Sequence, residues 1–229
     1  METLYNGYTL LLCDGAFPLS TDTMALADFV RLPKNARVLD LGAGCGSLGL
    51  LLCAKDAGCT VTGVELNEQD HQTALQNISD NSLSDRLYSI CADLRAMPDS
   101  IRPGSYQVCV SNPPYFSGGA PSLRTPLARR DDRCSSAELF TAATRALRWG
   151  GDFYLVQKVD RLAQLCHEAC KNGLEPKRLR LVRHKPASAP AFLLLQCRKG
   201  GKPGLVFEES CLFHEDGTPT GEYRRIYHE

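Results

Sequence analysis

Short apolar runs alternate with helical patterns along the first half of the chain, and this alternation restricts the folds that the chain can adopt. Four runs have the length and the β-branched content of buried strands. They cover Arg37–Leu41, Thr60–Leu66, Leu87–Ala92 and Gln107–Ser111. Helical patterns extend from Ser47 to about Ala57 and from Glu68 to about Ile78. Strands and helices that alternate in this way form a parallel sheet with helices on both faces.

The second half of the chain continues the same sheet. A helix is predicted over Ser136–Trp149, a strand over Asp152–Lys158 and another helix over Asp160–Asn172. Two further strands, Arg178–Arg183 and Ala191–Arg198, are joined by a loop too short for a crossover helix, so they should pair antiparallel. We therefore expect an α/β fold: a Rossmann-like, doubly wound, mostly parallel seven-stranded sheet with an antiparallel C-terminal hairpin.

A length of 229 residues suits one well-cored domain, and two domains would be cramped. The expected parts of this single domain, 1–229, are an N-terminal hairpin and helix over 1–32, a substrate loop over 116–135 and a C-terminal hairpin and tail over 177–229. The N-terminal hairpin should turn at Asp14-Gly15, and the helix should run from about Ser20 to Leu32. The polar tail from Glu208 onwards should wrap an edge of the sheet or fray.

Composition disfavours several other classes of protein. No apolar run approaches the roughly 20 residues that cross a bilayer. The 11 cysteines are an odd number, contain no Cys-x-x-Cys and follow no secretory leader, which argues against a disulfide framework. No matched set of metal ligands is evident. We expect a cytoplasmic protein with no membrane segment and no metal ion.

Charge is distributed unevenly between the two halves of the chain. Residues 1–115 hold 7 Lys and Arg against 13 Asp and Glu, whereas residues 116–229 hold 19 against 13. A polyanionic partner should therefore meet the second half. Basic surfaces of this size are also common on ordinary solvated faces, and an alternating strand such as Arg178–Arg183 could present its arginines to phosphate or merely to solvent.

Polar groups follow four predicted strands at their carboxyl ends. They are the glycine loop Gly42–Gly46, Glu65, Asp93 and Asn112. Ligands of doubly wound sheets bind outside the carboxyl ends of the strands. The sequence thus predicts one ligand site built from these four features.

The fourth strand ends in Asn112-Pro113-Pro114-Tyr115. Each proline fixes φ and removes an N–H, and a residue that precedes proline is pushed towards extended geometry. This tip would present the Asn112 side-chain oxygen and the Pro113 carbonyl as acceptors for both protons of one amino group, leaving the nitrogen lone pair free to attack an electrophile. Tyr115 would add a flat face for stacking a base. The alternative is a tight turn that leaves a strand.

The glycine loop has two interpretations. Gly44-x-Gly46-x-x-Gly49 matches the dinucleotide fingerprint, which is weak evidence when it stands alone. Asp40, two residues before the loop, suits a positively charged ligand better than a pyrophosphate, and S-adenosylmethionine carries such charge on its sulfonium and amino groups. Glu65 is placed to accept both ribose hydroxyls of either cofactor. Asp93 would accept from the adenine amino group or would simply cap a helix or turn.

These motifs together resemble a class I S-adenosylmethionine-dependent methyltransferase that acts on an amino nitrogen. The wider pattern resembles the bacterial tRNA(Val) adenine-N6 methyltransferase family, which modifies the adenine beside the anticodon. The segments that carry the wider likeness are Ser20-Thr21-Asp22, Phe116, Leu127-Ala128-Arg129, Glu175-Pro176-Lys177-Arg178 and Arg198-Lys199-Gly200-Gly201-Lys202-Pro203. The resemblance extends over nearly the whole chain.

The resemblance implies three sets of site residues. For binding of S-adenosylmethionine it implies Thr21, Asp22, Asp40, Gly42, Ala43, Gly44, Gly46, Glu65, Leu66, Asp93, Leu94 and Asn112. The implied catalytic tip is Asn112, Pro113, Pro114 and Tyr115. The implied contacts to the substrate, an RNA of the tRNA class, are Tyr115, Phe116, Arg124, Arg129, Arg130 and Lys185.

Three alternatives remain open. The first is another amino-methyltransferase with the same tip, acting on guanine N2 of rRNA, adenine N6 of DNA or glutamine N5 of a protein; the absence of a separate N-terminal helical domain or a large DNA-recognition domain disfavours the last two. The second is a protein that binds S-adenosylmethionine without turnover. The third is a nicotinamide reductase, which Asp40 and the lack of an evident hydride-transfer partner disfavour.

Overall fold

The computed structural model describes residues 2–12, 19–113 and 134–228. Within these ranges the strands are β1 (Glu2–Thr3), β2 (Thr9–Leu10), β3 (Arg37–Leu41), β4 (Thr60–Glu65), β5 (Leu87–Cys91), β6 (Tyr106–Ser111), β7 (Leu147–Gln157), β8 (Leu174–Arg183), β9 (Pro190–Lys199) and β10 (Val206–Cys211). The helices are α1 (Thr21–Phe29), α2 (Ser47–Lys55), α3 (Glu68–Asp80), α4 (Ser136–Ala146), α5 (Leu162–Lys171) and α6 (Gly221–Tyr227). Single 3₁₀ turns lie at Leu94–Ala96 and Val159–Arg161.

In the part of the chain that is described, eight strands form the main sheet, in the order β10-β8-β9-β7-β6-β3-β4-β5. Strands β3 to β7 are parallel to their neighbours among themselves, β9 is antiparallel to β7 and β8, and β10 is parallel to β8. The predicted doubly wound, mostly parallel α/β fold and the antiparallel pairing of the late strands are confirmed. The predicted strand number, seven, is wrong by one.

The additional strand is β10, which forms where the sequence predicted a tail. It escapes prediction because it is an edge strand whose residues do not alternate between apolar and polar: exposed Val206 and Phe207 are followed by two glutamates. Its place is fixed instead by backbone pairing to β8 and by Glu208, which accepts from the guanidinium groups of Arg178 and Arg180 at 2.9 and 2.8 Å. Charged partners far apart in the sequence therefore complete this edge of the sheet.

Two of the boundaries that differ from prediction have local reasons. The helix predicted over Ser136–Trp149 ends at Ala146, and β7 begins at the next residue. Gly150, at φ +75°, lies in an irregularity where β7 slips against β6, so the glycine pair forms a bulge inside a strand rather than ending a helix. Helix α1 ends at Phe29 because Val30 is already extended. The predicted turn at Asp14-Gly15 lies outside the described residues.

Apolar layers cover both faces of the sheet. On β6, Val108 and Val110 pack towards α1 and α2, whereas Cys109 packs towards α4 and α5. This alternation follows from the two-residue period of a strand. It directs the side chain of Asn112, two residues beyond Val110, towards the face that carries α1. In the described ranges, no helix combines the length and the apolar character needed to cross a bilayer.

The C-terminal helix α6 is tied to α1 through one carboxylate. Asp28 accepts from Arg225 at 3.0 and 2.9 Å and from Arg180 at 3.3 Å. Burial alone would raise the pKa of Asp28, but the hydrogen bonds and positive charge of Arg225, with the charges of Lys55 and Arg180, outweigh burial and lower it. This cluster joins α1, β8 and α6.

Replacing Asp28 with asparagine should lower the free energy of unfolding by about 2 kcal/mol, because hydrogen bonds to charged groups are lost in a partly buried cluster. Urea denaturation at neutral pH measures the loss. A group with a depressed native pKa stabilises above its unfolded pKa, so the difference from the parent should fade as pH falls below about 4. The exposed variant Asp99→Asn is the control, and equal stabilities of parent and Asp28→Asn would contradict the role of the cluster.

Candidate active site

The glycine loop lies at the carboxyl end of β3, between that strand and the start of α2. Gly42, Gly44 and Gly46 have φ values of +75°, +54° and +83°, which residues with a Cβ rarely adopt. A Cβ added at Gly42 or Gly44 would meet no atom within 4 Å, so the outer side of the loop is open. The loop therefore offers exposed backbone where a ligand can approach closely.

The inner side of the loop rests on β4. The backbone N–H groups of Gly42 and Ala43 donate to the Val64 carbonyl at 2.9 and 3.0 Å. Gly63 makes this approach possible, because a Cβ there would lie 2.8 Å from the Cβ of Ala43. The loop geometry is thus fixed by the neighbouring strand and does not depend on a ligand.

Glu65 ends β4 and bonds to the glycine loop. One carboxylate oxygen accepts from Gly44 N–H at 2.8 Å, and the other accepts from Asn67 N–H at 2.7 Å. Each carboxylate oxygen has two lone-pair sites, so each retains acceptor capacity. The predicted bonds to two ribose hydroxyls are compatible with these contacts.

Asp40 is a buried carboxyl directly before the loop, only 2% exposed. Its Oδ2 has no hydrogen-bond partner among the described residues. Burial and then the negative charge of Glu65 raise its pKa to about 7. A buried acceptor without a donor is unfavourable. A ligand with positive charge nearby would favour ionised Asp40, as the sequence predicted for a sulfonium cofactor.

Asp93 follows β5 and is fully engaged by Arg95. Its Oδ1 accepts from the backbone N and Nε of Arg95 at 2.8 and 2.9 Å, and its Oδ2 accepts from Nε and Nη2 at 2.9 and 2.6 Å. These bonds lower the pKa of Asp93. The capping role, one of the two predicted alternatives, is therefore present. An adenine amino group would have to replace part of the Arg95 contact.

Leu66 and Leu94 follow the two acidic strand ends. Leu66 is 42% exposed, and half-buried Leu94 packs against the apolar layer under α4. Both lie at the same edge of the sheet as the glycine loop. They offer apolar surface beside Glu65 and Asp93, where the resemblance assigned them to the cofactor.

Asn112 extends β6 at this edge. Ser111 anchors the strand end to β3 by donating its hydroxyl to the Leu41 carbonyl at 2.7 Å. The Asn112 Nδ2 donates to Thr23 Oγ1 at 2.8 Å, and Pro113 is buried behind it. Pro114 and Tyr115, the remainder of the predicted catalytic tip, lie outside the described residues.

The first turn of α1 brings Thr21 and Asp22 close to Asn112. The Thr21 hydroxyl is 2.6 Å from the Tyr227 hydroxyl, which lies on α6. Asp22 hydrogen-bonds to the Ser20 hydroxyl and to the Thr23 backbone N–H. Sequence reasoning assigned Thr21 and Asp22 but missed Thr23. The only signal for Thr23 was its place in the polar start of a helix.

A second residue that the sequence did not single out is Gln157, at the end of β7. Its side chain is completely buried, and its Oε1 accepts from the Lys158 N–H at 2.9 Å. Its Nε2 has no partner within the described ranges. An amide directly after the apolar run 153–156 was visible in the sequence as a change of residue type.

Of the predicted substrate contacts, only Lys185 falls within the described residues. It is exposed and donates to the Glu215 carbonyl at 3.2 Å. The others lie outside: Tyr115, Phe116, Arg124, Arg129 and Arg130. No group of three or more His, Cys, Asp or Glu side chains in the described part of the chain could hold a metal ion.

The two interpretations offered for the arginines of β8 are wrong for Arg178 and Arg180. Their side chains are only 9% and 13% exposed and are paired with Glu208. The guanidinium carbons lie 4.2 and 5.1 Å from the centre of the Phe29 ring. These two guanidinium groups hold β10 at the C-terminal edge of the sheet, and they face neither solvent nor a phosphate.

The glycine loop, the acidic strand ends and the Asn-Pro tip all lie at one edge of a doubly wound sheet, in which antiparallel β9 lies beside β7. This arrangement is that of a class I methyltransferase. The chain belongs to the methyltransferase small domain family, whose model matches residues 19–167. The class of enzyme predicted from the sequence is thereby confirmed.

Relatives of the chain have names that agree with the predicted resemblance. The tRNA1(Val) (adenine(37)-N6)-methyltransferase of Bacteroides fragilis strain YCH46 is 30% identical over 182 residues, which are 79% of this chain and 76% of the relative. The enzyme of the same name from Tolumonas auensis is 30% identical over 212 residues, 91% of this chain and 87% of the relative.

Solved structures of other methyltransferases share the fold. A predicted O-methyltransferase, Atu636 from Agrobacterium tumefaciens, superposes with a TM-score of 0.76 at 18% identity, covering 90% of this chain and 95% of its own. Geranyl diphosphate C-methyltransferase from Streptomyces coelicolor gives a TM-score of 0.56 at 12% identity, covering 76% and 78%. That enzyme holds S-adenosyl-L-homocysteine, the demethylated form of the cofactor predicted here.

Proposed function

We propose that this chain transfers a methyl group from S-adenosylmethionine to the N6 amine of an adenine in tRNA, in the anticodon loop of a tRNA(Val)-type substrate. The observation that carries the proposal is the Asn112 amide, held beside the glycine loop by Thr23 at the end of β6. The relatives named for this reaction support the choice of adenine and of tRNA over guanine, DNA or protein.

The described residues fit the cofactor. Oδ2 of the buried Asp40 carboxyl has no donor among the residues that the structure describes, Glu65 retains acceptor capacity at the end of β4, and the outer side of the glycine loop is open. When bound, S-adenosylmethionine supplies a methyl group on a positively charged sulfur, which leaves as the uncharged thioether. The acidic strand ends complement that charge.

Asn112 and Pro113 hold the nucleophile. The Asn112 side-chain oxygen and the Pro113 carbonyl accept hydrogen bonds from the two N–H groups of the adenine amine. The nitrogen lone pair is therefore withdrawn from the ring and directed at the methyl carbon. A nitrogen–carbon bond forms as the carbon–sulfur bond breaks, and positive charge develops on the nitrogen. The same two acceptors stabilise that charge, and alignment supplies much of the rate. The methylated nitrogen then loses one proton to water.

The target base must leave its stack before it can reach this tip. Extrusion costs a few kcal/mol and is least costly in a loop, which favours an anticodon-loop adenine over a paired one. The excess of Lys and Arg in residues 116–229 supplies the positive charge that a tRNA backbone requires.

A labelled-methyl assay tests the proposal. The protein is incubated with S-adenosylmethionine labelled in its methyl group and with tRNA, rRNA, DNA and protein pools from bacteria, and labelled nucleosides are then identified. We expect N6-methyladenosine in tRNA alone, and initial labelling about 100-fold to 1,000-fold slower with Asn112→Ala. Label in another pool would assign one of the rival substrates, and cofactor binding without label in any pool would indicate a protein without turnover.

Replacing Arg95 with alanine should tighten S-adenosylmethionine binding about fivefold. The Arg95 side chain bonds to both oxygens of Asp93, and its removal leaves Oδ2 free to accept the adenine amino group of the cofactor, while Oδ1 keeps its bond from the backbone N–H of residue 95. One net hydrogen bond of about 1 kcal/mol corresponds to this factor. Calorimetric titration measures it, with exposed Arg102→Ala as the control for loss of one positive charge. Affinity equal to that of Arg102→Ala would leave Asp93 with a capping role only.

A further inference from the structure

The first turn of α1 reaches across the sheet edge to the reactive tip. Thr23 is only 5% exposed, and its Oγ1 lies 2.8 Å from Asn112 Nδ2. This contact joins two residues that are 89 positions apart in the sequence. The same hydroxyl is 2.9 Å from the Ser20 hydroxyl, which in turn bonds to the Asp22 carboxylate. Four side chains therefore form one continuous hydrogen-bonded chain.

The chemistry of these groups gives the chain a direction. An amide NH₂ donates and a carboxylate accepts, so the two ends are fixed. The Ser20 hydroxyl must donate its single proton to Asp22, because the Ser20 oxygen and the Asp22 carboxylate would otherwise face each other as two acceptors. Thr23 must then donate to Ser20, which leaves only its lone pair for Asn112. The order is Asn112 N–H to Thr23 O–H to Ser20 O–H to Asp22.

This direction decides which end of the Asn112 amide faces α1. If the amide were flipped, its Oδ1 would face the Thr23 oxygen, whose proton is already given to Ser20. Two acceptors in contact inside a half-buried site would repel each other, and the amide NH₂ would lose its partner. The chain thus favours the orientation that turns Oδ1 away from α1.

We infer that Thr23 is a positioning residue for methyl transfer: through the chain that ends at Asp22, it orients the Asn112 amide so that Oδ1 accepts from the target amine. The inference rests on the proposed function. Thr23 does not contact the substrate and acts through Asn112. Without its acceptor, the amide rotates and presents NH₂, a donor, to an amine that already carries two N–H groups.

Two substitutions at Thr23 separate this role from packing. Thr23→Val keeps the branched shape and removes the hydroxyl, whereas Thr23→Ser keeps the hydroxyl. Thr23→Val should lower kcat by about 10-fold to 100-fold, with KM for S-adenosylmethionine and for tRNA changed less than about twofold. Thr23→Ser should restore most of the loss. Parental kcat in Thr23→Val would overturn the inference, as would equal losses in both variants.

A double-mutant comparison gives a readout that a structural role would not produce. In an Asn112→Ala background, Thr23→Val should cause no further loss in single-turnover rate, because the group that Thr23 positions is absent. A loss of the same factor in both backgrounds would mean that Thr23 acts by holding the fold, which would contradict the inference.

Side-chain NMR tests the orientation without any turnover. With ¹⁵N-labelled asparagine, the Asn112 amide signal is identified by its absence in Asn112→Ala. Thr23→Val should shift this signal and speed its exchange with water, and Thr23→Ser should leave it near the parental position. An unchanged signal in Thr23→Val overturns the positioning role. A parent that labels no tRNA but shows these shifts would instead overturn only the proposed reaction.

Discussion

Replacing Asn112 with alanine should lower kcat by about 100-fold to 1,000-fold, the range found when one group that stabilises transition-state charge is removed. The dissociation constant of S-adenosylmethionine should change less than about twofold. The reason is that the amide bonds to the target amine most strongly as charge develops on nitrogen, so its loss acts on the transition state. Single-turnover methyl transfer measures the first quantity and calorimetric titration measures the second.

Asn6→Ala is a matched control, since Asn6 is exposed and its side chain accepts only a local backbone bond from Tyr8 in the described residues. It should retain parental kcat and parental affinity. The resemblance also places Asn112 among the cofactor contacts. If Asn112→Ala weakens S-adenosylmethionine binding by the same factor as it lowers turnover, the amide serves the cofactor and the amine-holding role is wrong.

Seven strands of the main sheet, β3 to β9, could be predicted from the sequence because each of them carries its own signal. The strand Arg37–Leu41 was predicted with its bounds unchanged, and the predicted start of α2 at Ser47 was correct. Both are set locally, by a continuous apolar run and by the glycines that follow it. The carboxyl-edge placement of Glu65 and Asp93 followed from strand direction alone.

The elements that escaped prediction depend on partners remote in the sequence. Strand β10 needs Arg178 and Arg180 opposite Glu208, and those arginines were themselves assigned to solvent or phosphate. Thr23 is recognisable only when α1 is packed against the end of β6. A local pattern identifies a helix start at Ser20-Thr21-Asp22, but it contains no information about which strand end that helix will meet.

Affinity for S-adenosylmethionine should rise by up to about 15-fold between pH 5.5 and pH 7, and this is the second large effect that we expect. Burial raises the pKa of Asp40 to about 7, so only a few per cent of the protein carries the carboxylate at pH 5.5 and about half carries it at pH 7. The positively charged cofactor favours the ionised form. Binding should therefore release a proton, which titration calorimetry detects in buffers of different ionisation enthalpy.

The same raised pKa determines how the stability of the cofactor-free protein varies with pH. Between about pH 4 and pH 7 the native state holds a proton on Asp40 that the unfolded chain has lost, so the contribution of this residue to stability decreases as pH rises through that window. Asp40→Asn should remove both effects. Its affinity for S-adenosylmethionine should be low and independent of pH in this range, and its unfolding free energy should not show the decrease between about pH 4 and pH 7 that Asp40 causes in the parent. Asp99→Asn, an exposed control, should keep the parental profiles. Affinity of the parent that is flat from pH 5.5 to 7 would show that ionisation of Asp40 is not coupled to binding of the cofactor.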